Sequence, residues 1–165
     1  MYHRSVEDLR ATDSSRPGRI LALDFGLVRI GIAVSDALGL TAQGLPTLER
    51  TNKRADLARI EEVAAEYAVS RVLVGHPKSQ SGGETDMSRR AARFAADLGE
   101  RLTVPVELWD ERLTSLEADR SLREAGLDAR RRRQARDRVA AQILLQSYLD
   151  RHAFERARAE LRAPR

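Results

Sequence analysis

Residues 19–36, RILALDFGLVRIGIAVSD, are two apolar runs broken by a short turn, and they leave few folds open to the chain. The second run is rich in β-branched residues, and Gly26 and Gly31 lie close to the break, so the segment predicts a hairpin of two strands. TAQGLPTLER, residues 41–50, supplies a third, shorter strand. The period then changes: Leu57, Ile60, Val63 and Ala64 recur at helical spacing through 53–68. RVLVG, 71–75, is a continuous apolar run that stops at Gly-His-Pro, as a buried strand would. A helix is expected from Thr85 to Leu102 and a last strand in VPVELW. Thr114 and Glu117 stand at capping-box spacing with Gly126 as a stop, predicting a further helix. The final helix is expected to carry Val139, Ala140, Ile143, Leu144, Ser147 and Tyr148 on one face. A meander running into strand-helix-strand units predicts an α/β fold, a mixed five-stranded sheet with helices on both faces.

With 165 residues the chain can bury one substantial core. The expected organisation is a flexible polar arm over 1–18, one domain over 19–150 and a charged helical tail over 151–165. No apolar run reaches the roughly 18 to 20 residues that span a bilayer, and the N-terminal segment has no apolar signal core, so a cytoplasmic protein with no membrane partner is expected. The sequence contains no cysteine, so a metal would need oxygen or imidazole ligands. Oxygen is favoured, because His3, His76 and His152 have no metal-site spacing. A net charge of +4, a pI near 10.1 and clustered arginines point toward an anionic partner such as nucleic acid. Arginine in place of lysine is equally what a GC-rich genome would produce.

Against this background one acid is out of place. Asp24 stands late in the first strand, behind Ile20, Leu21, Ala22 and Leu23, where an unpaired ionised carboxylate would cost several kcal/mol. Sites in such sheets form outside the carboxyl ends of parallel strands, and the last strand also runs into acids, Asp110 and Glu111. Successive strand residues face opposite ways, so only one of that pair can aim to Asp24's side. In RRRQARDRVAAQILLQSYL, Asp137 shares a helical stripe with Ala141, Leu144 and Tyr148, an acid on the face that meets the sheet. A strand-end Asp bonded to turn amides and an acid favoured by the helix dipole are the bland alternatives. Three converging carboxylates would suit Mg2+ or Mn2+, which could activate water and stabilise the leaving oxygen of a phosphodiester.

ALDFGLVRIGIAVSD, VLVGHPKSQSGG, WDERLTSLEA and RDRVAAQILLQSYLD together resemble, in order, four blocks of the YqgF/RuvX family. That family comprises candidate Holliday junction resolvases also described as pre-16S ribosomal RNA nucleases. The resemblance spans about residues 19–150 and implies an RNase H-like fold. Carried onto this sequence, it makes Asp24, Glu111 and Asp137 the catalytic and metal-binding acids, and Arg29 and the Gly75–Pro77 loop substrate-side features. Arg29, Lys78, Arg112 and Arg136 lie close in sequence to these acids or to the polar loop and are candidates for nucleic-acid binding, with Arg138 a weaker one. His76 and the KSQS stretch depart from the family pattern. The implied activity is metal-dependent phosphodiester hydrolysis in 5′-end processing of pre-16S rRNA, on structured RNA. The alternatives are resolution of branched DNA and a non-catalytic nucleic-acid-binding module. A phosphate-binding domain of the sugar-kinase or actin type would also use a D-x-G turn, but needs a second domain for which there is no room. Either a monomer or a homodimer is compatible, although junction resolution would call for a two-fold dimer.

Overall fold

Strand β1 (Ile20–Phe25) and strand β2 (Arg29–Ser35) each alternate large and small side chains, and that alternation sets the architecture. Their antiparallel register places Ala22 opposite Ala33, Leu23 opposite Ile32 and Asp24 opposite Gly31. Leu21, Leu23, Phe25, Ile30, Ile32 and Val34 therefore share one face, and Ala22, Asp24, Gly31 and Ala33 the other. The computed structural model describes residues 18–79, 81–110 and 129–162. Strand β3 (Ala42–Glu49) pairs antiparallel with β2, while β4 (Arg71–His76) and β5 (Val106–Asp110) add in parallel beyond β1. The result is a mixed five-stranded sheet in the order β3-β2-β1-β4-β5.

Helices α1 (Lys53–Glu66) and α2 (Asp86–Arg101) cover the large-residue face. Leu57, Ile60 and Val63 of α1 and Ala91, Phe94 and Leu98 of α2 join the strand aliphatics in one core. The Asn52 side chain accepts the Ala55 N–H at 3.0 Å and caps α1. Thr85 and Ser88 cap α2 reciprocally, each side chain accepting the other's backbone N–H, a capping box where the sequence predicted only the helix start. Lys53–Asp97 and Arg101–Glu61, both 2.6 Å, tie the two helices together across their solvent edge.

The opposite face is covered by α3 (Ala129–Arg162), a 34-residue helix. Ala141, Leu144, Leu145, Tyr148 and Leu149 are buried against Ile20, Ala22, Ala33 and Leu73, and Trp109 of β5 meets Tyr148 edge-on at 5.0 Å. The stripe through Asp137, Ala141, Leu144 and Tyr148 is thus the one that meets the sheet. The other expected grouping is corrected: Ser147 is exposed, and Val139, Ala140 and Ile143 are only half-buried. Leu145 and Leu149 replace them, because the strip of sheet under the helix follows the small residues of β1 and β2. β5 begins at Val106, two residues later than read from sequence, and Pro105 contributes only its carbonyl, which accepts the Val72 N–H at 2.9 Å. The helix expected over 114–126 and nearly all of the N-terminal arm lie outside the described residues. No helix among the described residues is long and apolar enough to cross a membrane.

Candidate active site

The Asp24 side chain follows Ala22 on the α3 face, at the carboxyl end of β1 and opposite Gly31. Gly31 has no side chain for a specific reason: a Cβ there would collide with the backbone carbonyl of Asp137. The α3 backbone at Asp137 thus passes directly over Gly31, the β2 residue paired with Asp24. Asp137 accepts a hydrogen bond at Oδ2 from Arg29 Nε at 2.6 Å, a charge-assisted contact between side chains each about one-fifth exposed. Arg29 is on the same face of β2 as Gly31, and Arg138 closes the approach by packing its side chain against Gly44 of β3.

β4 and β5 end at the same edge as β1, with His76 in register with Asp110. Val72 and Val74 point into the α1–α2 core and Val106 packs against it, so alternation turns His76 and Asp110 to that side, away from Asp24. The His76 Nε2 atom is buried without a hydrogen-bond partner among the described residues. Lys78 follows in the loop after β4, half-buried, with its backbone N–H bonded to the His76 carbonyl at 2.9 Å. Arg136 is exposed beside Asp137. Glu111 and Arg112 lie outside the described residues. Among the described residues no group of three acids or histidines is clustered for a metal ion.

Two residues of this region were missed in the sequence reading. Arg50, just after β3, reaches under the β1–β2 turn, and its Nε donates to Asp56 Oδ2 at 2.9 Å. The Asp56 side chain is 1% exposed. The signal was available: Asp56 is an acid directly beside the apolar stripe of α1, out of pattern in the same way as Asp137. At the far end of the sheet a different polar group closes the α3 face, where Arg71 bonds Glu107 at 2.5 Å and the Tyr148 hydroxyl at 3.2 Å. Burial pushes the Tyr148 pKa up, and burial works to lower that of Arg71 until Tyr148 and Glu107 outweigh it and hold it above its ordinary value.

A mixed sheet in this strand order, two antiparallel steps followed by two parallel ones, with an acid at the end of its central strand, is an RNase H-like fold. The chain belongs to the RuvX family, described as Holliday junction resolvase, whose model matches residues 18–151. It is 48% identical over 139 residues to a candidate pre-16S rRNA nuclease of Koribacter versatilis, covering 84% of this chain and 91% of that one. A protein of the same name from Myxococcus xanthus is 48% identical over 134 residues, covering 81% and 89%. Among solved structures, T. thermophilus RuvC in complex with Holliday junction substrate matches with a TM-score of 0.54 and 17% identity, over 82% of this chain and 96% of that chain. Fowlpox virus resolvase with Holliday junction DNA matches with a TM-score of 0.52 and 11% identity, over 81% and 98%. At such identities these two structures speak to the fold alone.

Proposed function

We propose that this protein is a metal-dependent nuclease that hydrolyses phosphodiester bonds of structured RNA, acting in the cytoplasm on the 5′ end of the 16S rRNA precursor. The observation that supports the reading is the close crossing of α3, at Asp137, over Gly31, the residue paired with Asp24 at the carboxyl end of β1. Two aspartates carried toward that edge by different elements are oxygen donors of the kind Mg2+ and Mn2+ take. Asp24 and Asp137, with Glu111 as the third acid, would hold the ion or ions. When bound, the metal supplies an activated water and stabilisation of the leaving oxygen.

The protein's own residues do the positioning. Asp24 is carried by the central strand, paired with Gly31 of β2, one residue beyond the last pairing of β1 with β4. Arg29 orients Asp137 through Oδ2 and balances its charge beside a second acid. A guanidinium that bonds a carboxylate through Nε can still engage phosphate through its outer nitrogens, so Arg29 can also meet the substrate backbone. Lys78, Arg112 and Arg136 are the further cations proposed to neutralise phosphates along the path. RNA is preferred as substrate because the 48% identical relatives carry the rRNA nuclease name. The family description favours a second reading, cleavage of branched DNA by a homodimer; a monomer suffices for RNA.

The test is cleavage of a pre-16S 5′-end RNA and of a four-way DNA junction with Mg2+ or Mn2+, beside the Asp24→Asn protein. RNA cut by the wild type and left intact by the variant is the expected result. Mn2+-dependent cleavage by Asp24→Asn at the wild-type rate would overturn the mechanism, and preference for the junction would overturn the substrate.

A further inference from the structure

Arg50 contacts every residue that separates Asp24 from Arg29. Its guanidinium carbon lies 4.5 Å above the centre of the Phe25 ring. Nη1 donates to the Gly26 carbonyl at 3.0 Å and, more weakly, to that of Leu27 at 3.5 Å. Its backbone N–H donates to the Val28 carbonyl at 2.9 Å. The far side of the same guanidinium is anchored on Asp56, whose other oxygen accepts the Thr51 N–H at 3.1 Å. Phe25 in turn packs on Phe94 of α2, with ring centres 4.9 Å apart. The turn itself is short, closed by the Gly26 N–H on the Arg29 carbonyl at 2.9 Å, and its Leu27 and Val28 side chains lie exposed, with little packing of their own.

We infer that Arg50, clamped by Asp56, is a positioning residue for the proposed nuclease site: by gripping the 25–28 turn it sets Asp24 relative to the Arg29–Asp137 pair. The inference rests on the nuclease reading for its functional consequence, while the clamp can be tested without it. A guanidinium suits this place because its planar fork can bond a carboxylate and a carbonyl in different directions while its face covers an aromatic ring. An ammonium at the same position could still pair with Asp56 but could not make all three contacts. A purely structural ion pair would look similar in the static structure, so the test must separate stability from geometry.

Arg50→Lys keeps the charge opposite buried Asp56 and loses the fork, and Arg59→Lys, in an exposed pair on α1, is the control. Four quantities are compared with the wild type: kcat and KM for the RNA substrate, Mn2+ affinity by titration, and hydrogen exchange of the Gly26 amide against amides of α2. In Arg50→Lys, kcat and Mn2+ affinity should each fall about tenfold, the scale of losing an outer partner of a metal site, with KM within twofold. Gly26 should exchange at least several-fold faster while α2 amides are unchanged. Arg59→Lys should change none of these. Unchanged Gly26 exchange in a folded Arg50→Lys protein would overturn the clamp whether or not the wild type cleaves RNA. Faster exchange with unchanged kcat and Mn2+ affinity would overturn the positioning role. A wild type that cleaves neither substrate would instead sink the nuclease reading, and the clamp would then stand or fall on the exchange data alone.

Discussion

The same two strands build both faces of the sheet, and the faces differ in the size of the side chains they offer. Toward α1 and α2 they present Leu21, Leu23, Phe25, Ile30, Ile32 and Val34, which with Leu57, Ile60, Phe94 and Leu98 form the larger core. Toward α3 they present Ala22, Asp24, Gly31 and Ala33, and the helix comes down until its backbone at Asp137 touches the strand. Large residues on one side provide apolar burial, the main favourable term in folding. Small residues on the other sacrifice some of that burial and let the helix pass, at Asp137, directly over the strand residue paired with Asp24. Stability and the candidate chemistry are thus separated across a single sheet, and substitutions on the two faces should fail differently.

The largest difference is expected from Asp24→Asn, which should lower cleavage by more than about a hundredfold, beyond the usual ten- to hundredfold cost of losing an outer partner of a metal site, with the circular dichroism spectrum retained. Leu98→Ala on the broad face should behave in the opposite way. It removes a fully buried side chain and should cost about 2 to 5 kcal/mol in denaturant unfolding, while activity per folded molecule stays unchanged. If Leu98→Ala lowered activity as much as stability, the division between faces would be broken.

Gly31→Ala tests the crossing itself. The added methyl must push α3 off β2, at a cost of about 1 to 3 kcal/mol, and cleavage should fall more than the lost stability accounts for. Full activity in the folded variant would show that the close approach does not set the spacing of the acids. A smaller effect, chiefly on binding and with a lesser loss of cleavage as Asp137 loses its Arg29 partner, is expected of Arg29→Ala combined with Lys78→Ala. RNA affinity should drop, and the log-log salt slope should flatten by roughly 1.4 to 1.8 for two phosphate contacts at about 0.7 to 0.9 each. An unchanged slope would remove these residues from the substrate path and leave the acids untouched.

The smallest effect belongs to the other end of the β-hairpin region, away from the site. Asp36 closes the β2–β3 turn, and the amides of Thr41 and then Leu40 hold its carboxyl below the ordinary value of 3.8. A depressed folded pKa adds stability above the ordinary carboxylate range and loses it as pH falls through the folded value. The melting temperature of Asp36→Ala should therefore lie slightly below the wild type near neutral pH and converge with it in acid, with cleavage at neutral pH unaffected. A gap that persists at low pH would assign the effect to packing.

Much of this was legible in the linear chain because it is written in local period. Apolar runs marked β1, β2 and β4, the second of them rich in β-branched residues, and 3.6-residue spacing marked α1. Asp24 and Asp137 stood out because each is an acid at an apolar position, and the motif blocks around them resemble a family to which the chain belongs. The stripe of α3 that meets the sheet was ambiguous, since two overlapping sets of residues fit a helical period and the choice depends on the surface beneath. Contacts between residues far apart in sequence were not legible at all. Nothing local tells that Gly31 lies under the Asp137 carbonyl, that Arg29 bonds Asp137 across 108 positions, or that Arg50 grips the turn beside Asp24. Periodicity records which side of an element is apolar, a property of each segment alone. Which acid meets which cation depends on how closely two elements approach, and that distance is set by the side chains packed between them.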